Sequence, residues 1–187
     1  MDRRLFLKSI SASILSVSSG CSQLLREQDI RVTNFSNLND IDVSFTGEVV
    51  QQLSKDGPLR VELRFTNEGP ERMFGFDPVL PGLYVNPSRT LFSVPDNREP
   101  IGPWKPDGPD GFVPDEPDGG CWRALNSIVV ASYVEWRTLD TGEKLTERYT
   151  ILANSEADRC FPPGTHRFES SFDLESEHPL HYDVVVP

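Results

Sequence analysis

The sequence predicts an all-β protein, an antiparallel β-sandwich of about seven to nine strands. Apolar and polar residues alternate along most segments after residue 40, which is the pattern of strands with one buried face. Turn-forming residues separate these segments, and no long segment after residue 30 has the period of an amphipathic helix. Many short strands with turns between them are typical of two sheets packed face to face.

Eight segments carry this alternation. They span residues 41–53, 59–66, 72–79, 90–94, 128–136, 144–153, 166–174 and 180–186. Trp136 and His166 fall on inward positions in this pattern, so both are predicted to lie in the core, and Trp122 is expected to pack on the disulfide of Cys121. The 187-residue chain is long enough for one domain with a hydrophobic core.

Residues 95–120 form a long loop rich in proline, glycine and aspartate. Repeated prolines argue against a helix or a central strand there, and the segment is too long for a simple turn. Its carboxylates could bind calcium, which takes roughly six to eight oxygen ligands, or could form a solvated acidic loop. The candidate calcium ligands are Asp107, Asp110, Asp115, Glu116 and Asp118. Trp104 is the candidate for contact with an organic ligand.

The first 21 residues resemble a twin-arginine signal peptide that ends in a lipidated cysteine. The export motif comprises Arg3, Arg4, Phe6, Leu7 and Lys8. The apolar run that follows is shorter than the about 20 residues of a membrane-spanning helix. Small residues precede Cys21 as in a lipobox, although Ser18 stands where an aliphatic residue is usual; the alternative is an uncleaved amphipathic helix. These features predict a signal peptide over residues 1–21, a tether over 22–29 and the sandwich domain over 30–187.

Acidic side chains dominate the charge of the chain. There are 29 Asp and Glu residues against 18 Lys and Arg, which gives a net charge of −11. This balance argues against nucleic acid as a partner, because its phosphates bind Lys and Arg, and against electrostatic binding to an anionic membrane. High acid content with few lysines resembles the proteins of extreme halophiles; an ordinary acidic secreted protein is the alternative.

Two further features fit an exported protein. Cys121 and Cys160 are an even pair in an oxidising compartment and are predicted to form a disulfide, with two buried free thiols as the alternative. Asn34-Phe35-Ser36 is the only N-glycosylation sequon without an intervening proline. A surface glycan is therefore expected on Asn34, unless the tripeptide is a chance match.

Two late stretches resemble the immunoglobulin-like modules of the intracellular proteinase inhibitor (BsuPI-like) class. Cys160-Phe161-Pro162-Pro163-Gly164-Thr165 resembles their Pro-Pro-Gly-Thr-Tyr corner, and Leu139-Asp140-Thr141-Gly142-Glu143 resembles the turn before it. Residues 59–67 resemble their early strand, and Gly120-Cys121-Trp122-Arg123 resembles a motif of halophilic archaeal lipoproteins. The resemblance implies an immunoglobulin-like fold over about residues 59–174. His166 in place of Tyr and the loop 95–120 depart from the family pattern.

These features together predict a non-enzymatic binding module. It is expected to be held on the outer face of the cell membrane by its N-terminal lipid and to bind another surface protein or a glycan. An inhibitor-like module that blocks a surface or secreted hydrolase through its loops is the alternative. The sequence has no Gly-x-Ser-x-Gly motif, and His178 and His181 lack the further ligands that a zinc site needs. Calcium is thus the only cofactor that the sequence suggests.

Overall fold

The computed structural model describes residues 29–76, 84–85, 90–96, 112–125 and 134–187. These residues form two antiparallel β-sheets, with ten strands in all and one short 3-10 helix at Asn39–Ile41. The all-β sandwich predicted from the sequence is confirmed. Within these ranges no helix is long and apolar enough to cross a membrane.

Each sheet contains five strands. In chain order the strands are β1 (Arg31–Thr33), β2 (Val43–Gln51), β3 (Leu59–Asn67), β4 (Arg72–Phe76), β5 (Tyr84–Val85), β6 (Leu91–Pro95), β7 (Glu135–Leu139), β8 (Lys144–Ala153), β9 (Gly164–Leu174) and β10 (Ser176–Val186). Sheet I has the spatial order β1-β10-β9-β4-β7, and sheet II has the order β2-β3-β8-β6-β5.

The strand order is that of an immunoglobulin domain with additions. The order β2-β3-β8-β6 corresponds to the A-B-E-D sheet of a constant-type domain, and β4-β9-β10 corresponds to its C-F-G sheet. β5 and β7 extend the two sheets beyond this plan, and β1 pairs with the last strand. In the part of the chain that the structure describes, β7 is consequently one edge strand of sheet I, and β1 is the other.

The predicted segments correspond closely to the observed strands. Eight of the ten strands overlap a predicted segment; β8 has the predicted bounds, whereas β7 overlaps its segment only at Glu135 and Trp136. β1 and β5 were not predicted, because strands of three and two residues are too short to show alternation. Residues 77–79 and 128–133, which end and begin two predicted segments, lie outside the described residues.

The core lies between the two inner faces, where the alternating apolar side chains meet. Phe65 of sheet II is fully buried and contacts Phe74, Phe76 and Phe172 of sheet I edge-on, with ring centroids 5.1–5.3 Å apart. Edge-on pairs of aromatic rings add about 0.5–1.5 kcal/mol to the gain from burial. His166 is also buried, as predicted, and its ring nitrogens contact the Thr90 hydroxyl and the Pro162 carbonyl.

The two ends of the sandwich differ in what they hold. The proximal end receives the chain from residue 29: Ile30 is fully buried there, and its main chain exchanges two hydrogen bonds with the Gln52 amide. The β8–β9 loop, residues 154–163, lies at this end as well. The distal end carries the β3–β4, β7–β8 and β9–β10 turns. The strands are antiparallel, so β3 and β9 run toward these turns and β8 and β10 run away from them.

Candidate interaction surface

Trp136 lies on the outer face of sheet I, where 54% of its surface is exposed. The cross-strand register causes this, because Trp136 pairs with Gly75, whereas Arg137 pairs with the inward-pointing Phe74. Residues opposite each other in antiparallel strands point to the same face. The prediction that Trp136 lies in the core is therefore wrong. Its charged neighbours, Glu135 and Arg137, take the inward positions of β7 instead.

Gly75 provides the space that the Trp136 indole occupies. A Cβ atom on Gly75 would lie 3.0 Å from two carbons of the indole ring and 2.8 Å from Cγ1 of Val134. Such contacts are too close for carbon atoms, so any larger residue would displace the ring. Glycine inside a strand often marks a position where another group approaches the backbone. The indole accordingly has one side against β4 and the other toward solvent.

Two other exposed apolar side chains lie beside Trp136 on the outer face. Met73 is 57% exposed, Val134 is 41% exposed, and Trp136 lies between them on the outer face. Single exposed apolar residues are common, but adjacent ones at the edge of a sheet mark an interaction surface. We refer to Met73, Val134 and Trp136 as the β7 patch.

The inward side of β7 carries an ion pair. Arg137 donates hydrogen bonds from Nη2 and Nε to Oε1 of Glu135, at 2.7 and 3.0 Å. Both side chains are about one-third exposed, because they lie at the margin of the sandwich. The two charges therefore offset each other on the inward side of β7, and both side chains stay partly exposed at its margin.

The outer face of sheet II is polar and internally paired. Glu62 lies between Arg148 and Arg64, which donate hydrogen bonds to its two carboxylate oxygens at 2.9 and 2.6 Å. The hydrogen bonds from Arg148 and Arg64 hold the pKa of Glu62 below its ordinary value. Arg64 also contacts Glu48 on the neighbouring strand. With its charges paired among themselves, this face is a solvated surface and offers no open charged site around Glu62.

The predicted disulfide between Cys121 and Cys160 is present, with the Cα atoms 5.6 Å apart. It joins the segment 112–125 to the β8–β9 loop at the proximal end. Trp122 is buried beside it and donates from Nε1 to the Ser54 carbonyl at 2.8 Å. Main-chain hydrogen bonds between this segment and Ala153 at the end of β8 hold it further. The end of the acidic loop is therefore fixed to the sandwich at the proximal end.

The predicted glycosylation sequon is engaged in the fold. Asn34 is exposed and has a positive φ of 52°, and its side-chain nitrogen donates to Asp183 at 2.7 Å. Ser36 is buried, and its hydroxyl accepts a hydrogen bond from the main chain of His181 at 2.7 Å. The nitrogen that would carry a glycan is thus the one that bonds to Asp183.

The contact between Ser36 and His181 is structural. The Ser36 hydroxyl lies 2.9 Å from Nδ1 of His181, which is a distance typical of a nucleophile and its base. The same hydroxyl also contacts the Pro179 carbonyl at 3.3 Å and the His181 main chain. Ser36 is buried, and its hydroxyl joins β10 to the segment after β1 through these three contacts.

The other predicted site residues are only partly described. Asp115, Glu116 and Asp118 are exposed, and no group of three or more His, Cys, Asp or Glu residues in the described ranges is arranged to hold a metal ion. Asp107, Asp110 and Trp104 lie outside the described residues, as do the export motif and Cys21. Calcium binding and lipidation thus stay predictions.

Comparisons with known proteins identify no relative. No protein-family model matches the chain, and neither a curated protein nor a solved structure shows significant similarity.

Proposed function

We propose that this chain is a lipid-anchored, extracytoplasmic immunoglobulin-like module that binds another component of the cell surface without catalysis. The observation that carries the proposal is the exposure of Trp136, which is held against Gly75 on the face of a sheet. Exposed tryptophans on rigid elements are typical binding residues, because their large surface is ordered before the partner arrives.

The position of the β7 patch suits a membrane-anchored protein. Asp29, where the described part of the chain begins, lies at the proximal end, whereas β7 ends at Leu139 near the β7–β8 turn of the distal end. An anchor at Cys21 would hold the proximal end against the membrane. The patch would then face away from that membrane, where another surface component can reach it.

Anchoring is tested by substitution of Cys21 and the two arginines. In the native host the full chain should partition into detergent, and Cys21→Ser should abolish this partitioning. Arg3→Lys with Arg4→Lys should block export while leaving synthesis unchanged. A C21S chain that partitions like the wild type would show that the anchor is not on this cysteine.

Binding is tested by a photoreactive residue placed in the patch. A benzoyl-phenylalanine at Met73 in intact cells should form covalent adducts on illumination. The same residue at Val50, which is 42% exposed on β2 of the opposite sheet, is the matched control. Adducts from both positions, or from neither, would contradict binding at the patch.

The inhibitor-like alternative is favoured by the disulfide. The Cys121–Cys160 bond fixes the segment 112–125, and a loop that is ordered before binding loses little entropy in a protease site. If the alternative is right, the purified protein slows a defined protease, and reduction of the disulfide abolishes the inhibition.

A further inference from the structure

Among the described residues β7 forms an edge of sheet I, and this strand has two chemically different sides. Val134 and Trp136 point outward, and Glu135 and Arg137 point toward the interior. An edge strand presents main-chain N–H and C=O groups that can pair with another strand. Inward-pointing charges usually oppose such pairing, because a new strand would bury them. On β7, however, the charges are one acid and one base, two residues apart, and this spacing can be self-complementary.

Only one register of β7 against a second β7 satisfies these charges. When Trp136 lies opposite Trp136 of the second copy, Glu135 lies opposite Arg137 and Arg137 opposite Glu135. Val134 then faces Thr138. A shift by two residues in one direction places Glu135 against Glu135, and a shift in the other places Arg137 against Arg137. Opposite charges in directly facing positions stabilise a strand pair, and like charges destabilise it.

We propose that β7 pairs antiparallel with β7 of a second copy of this chain, with Trp136 at the twofold axis. The two copies of sheet I then form one continuous sheet. The two indoles meet on its outer face, and two Glu135–Arg137 pairs form between the copies on its inner face. Self-complementarity of this kind is what a twofold interface requires, because the same surface serves both partners.

The direction of β7 determines how the two copies face each other. Side chains that are opposite in an antiparallel pair share a face, so the twofold axis is perpendicular to the sheet. Such an axis turns the proximal end of one copy away from that of the other. Across the sheet, Trp136 pairs with Gly75, and Gly75 pairs with Asp173 near the distal end of β9. Gly164 is the first residue of β9 at the proximal end, so it lies about 30 Å from Asp173 along the strand, at roughly 3.3 Å per residue.

The pairing therefore joins copies on opposing surfaces. With the axis near the distal ends, the two proximal ends lie about 60 Å apart and point in opposite directions. Tethers at both proximal ends could reach two facing membranes but not one shared membrane. This orientation rests on the proposed N-terminal anchor, whereas the strand pairing itself does not.

Since β7 has five residues, the interface is smaller than the roughly 1,200–2,000 Å² of stable complexes. One pair of copies therefore binds weakly, whereas many pairs acting together between two surfaces bind strongly.

Disulfide cross-linking tests the register in solution. In a Cys21→Ser background of the full chain, Trp136→Cys should form covalent dimers on mild oxidation, because the two Cα atoms are about 5 Å apart. Thr138→Cys is the matched control: the two copies of residue 138 are offset by about 13 Å and cannot join. A mixture of the V134C and T138C chains keeps Trp136 and should cross-link several-fold more than either chain alone. Equal cross-linking of W136C and T138C, or no cross-linking of the mixture, would overturn the pairing.

Charge reversal on vesicles tests the opposing orientation. The full chain with an N-terminal histidine tag is bound to phosphatidylcholine vesicles that contain a nickel-chelating lipid, so that anchoring does not depend on Cys21. Wild-type vesicles should cluster. Arg137→Glu vesicles alone and Glu135→Arg vesicles alone should cluster about tenfold less, because like charges then face each other.

A mixture of these two populations decides the question. Each R137E strand offers two acids and each E135R strand two bases, so the mixture should recover the clustering of the wild type. No recovery, or clustering by either population alone at the wild-type level, would overturn the proposal. Cross-linking in solution without vesicle clustering would overturn the opposing orientation. Failure of detergent partitioning for the native chain would instead count against the anchor, so the two failures are distinguishable.

Discussion

Arg72 donates a hydrogen bond from Nη2 to Oδ1 of Asn67 at 2.6 Å, and Asn67 is fully buried. Nδ2 of Asn67 donates to the carbonyls of Pro70 and Leu139 at 2.7 and 2.9 Å. The Asn67 side chain thereby joins the β3–β4 turn to the end of β7. This one amide therefore links β3, the start of β4 and the end of β7 at the distal end.

Substitution of Asn67 by alanine should lower the free energy of unfolding by about 2–4 kcal/mol. The change leaves the buried Leu139 carbonyl without its partner and removes the acceptor of Arg72. Urea denaturation measures the loss. Asn37→Ala is the control, because Asn37 is exposed and its side chain makes only a local bond to the Asn39 main chain. Equal effects of the two substitutions would mean that the buried network contributes little.

Reduction of the Cys121–Cys160 disulfide should loosen the segment 112–125 before the rest of the sandwich. The bond closes a loop with a sequence separation of 39, so its loss costs up to about 4 kcal/mol in the chain-entropy model. Hydrogen exchange followed by mass spectrometry should show faster exchange in that segment than in β3. The unreduced, unfolded chain should show no thiol from either cysteine. Uniform exchange across both regions would contradict local loosening.

The sequon at Asn34 should stay unmodified if the protein is exported in the folded state. The Asn34 amide donates to Asp183, and the Ser36 hydroxyl is buried, so both polar side chains of the sequon are occupied after folding. Proteins exported by the route that the N-terminal motif resembles are already folded, so the sequon would reach the outer face with both polar side chains engaged. The mass of the Asn34 peptide from native cells measures the outcome. A glycan on the twin-arginine-exported chain would contradict this account.

Sequence periodicity predicted strands well but not which side of β7 faces the core. Alternation separates the side chains of a strand into two sets, and the apolar set normally faces inward. At the edge of sheet I the inward positions of β7 lie at the margin of the sandwich, so they can hold Glu135 and Arg137. The inward direction is fixed by pairing with Phe74 on β4, about 60 residues earlier, and local patterns do not contain that information.

The sequence likewise predicted turns between the strands, but it did not predict the contact between Asn67 and Leu139. The bond from Asn67 to the Leu139 carbonyl spans 72 residues and depends on the packing of two sheets. Gly75 gave a usable signal, because a glycine inside an otherwise aromatic strand indicates that another group approaches the backbone. That signal identifies the position but not Trp136 as the approaching group.

Acid should destabilise the protein partly through Asp183. Burial raises the pKa of this carboxyl, but hydrogen bonds from Arg167 and Asn34 lower it more, so its pKa in the folded state lies below the ordinary value. The unfolded chain therefore binds more protons, and the stabilisation present above about pH 4 is lost as the pH falls toward the folded-state pKa. Asp183→Asn should lower stability by about 1–3 kcal/mol at neutral pH and flatten the dependence below about pH 4.

Urea denaturation across a series of pH values measures this effect. Asp56→Asn is the control, because the side chain of Asp56 is 80% exposed and its nearest partner, Lys55, is 3.8 Å away. If D183N keeps the acid dependence of the wild type, other carboxylates carry that dependence, with Glu62 between its two arginines as the first to examine.

Gly75→Ala should displace the Trp136 indole while leaving the core in place. The added Cβ would lie 3.0 Å from two ring carbons and 2.8 Å from Val134, and neither side chain can move inward past β4. The indole N–H resonance of Trp136 should shift, and that of the buried Trp122 should not. Because the displaced ring no longer lies against β4, cross-linking between V134C and T138C chains should fall several-fold in the G75A background. Unchanged cross-linking would show that the second copy does not recognise the indole in the position that Gly75 allows.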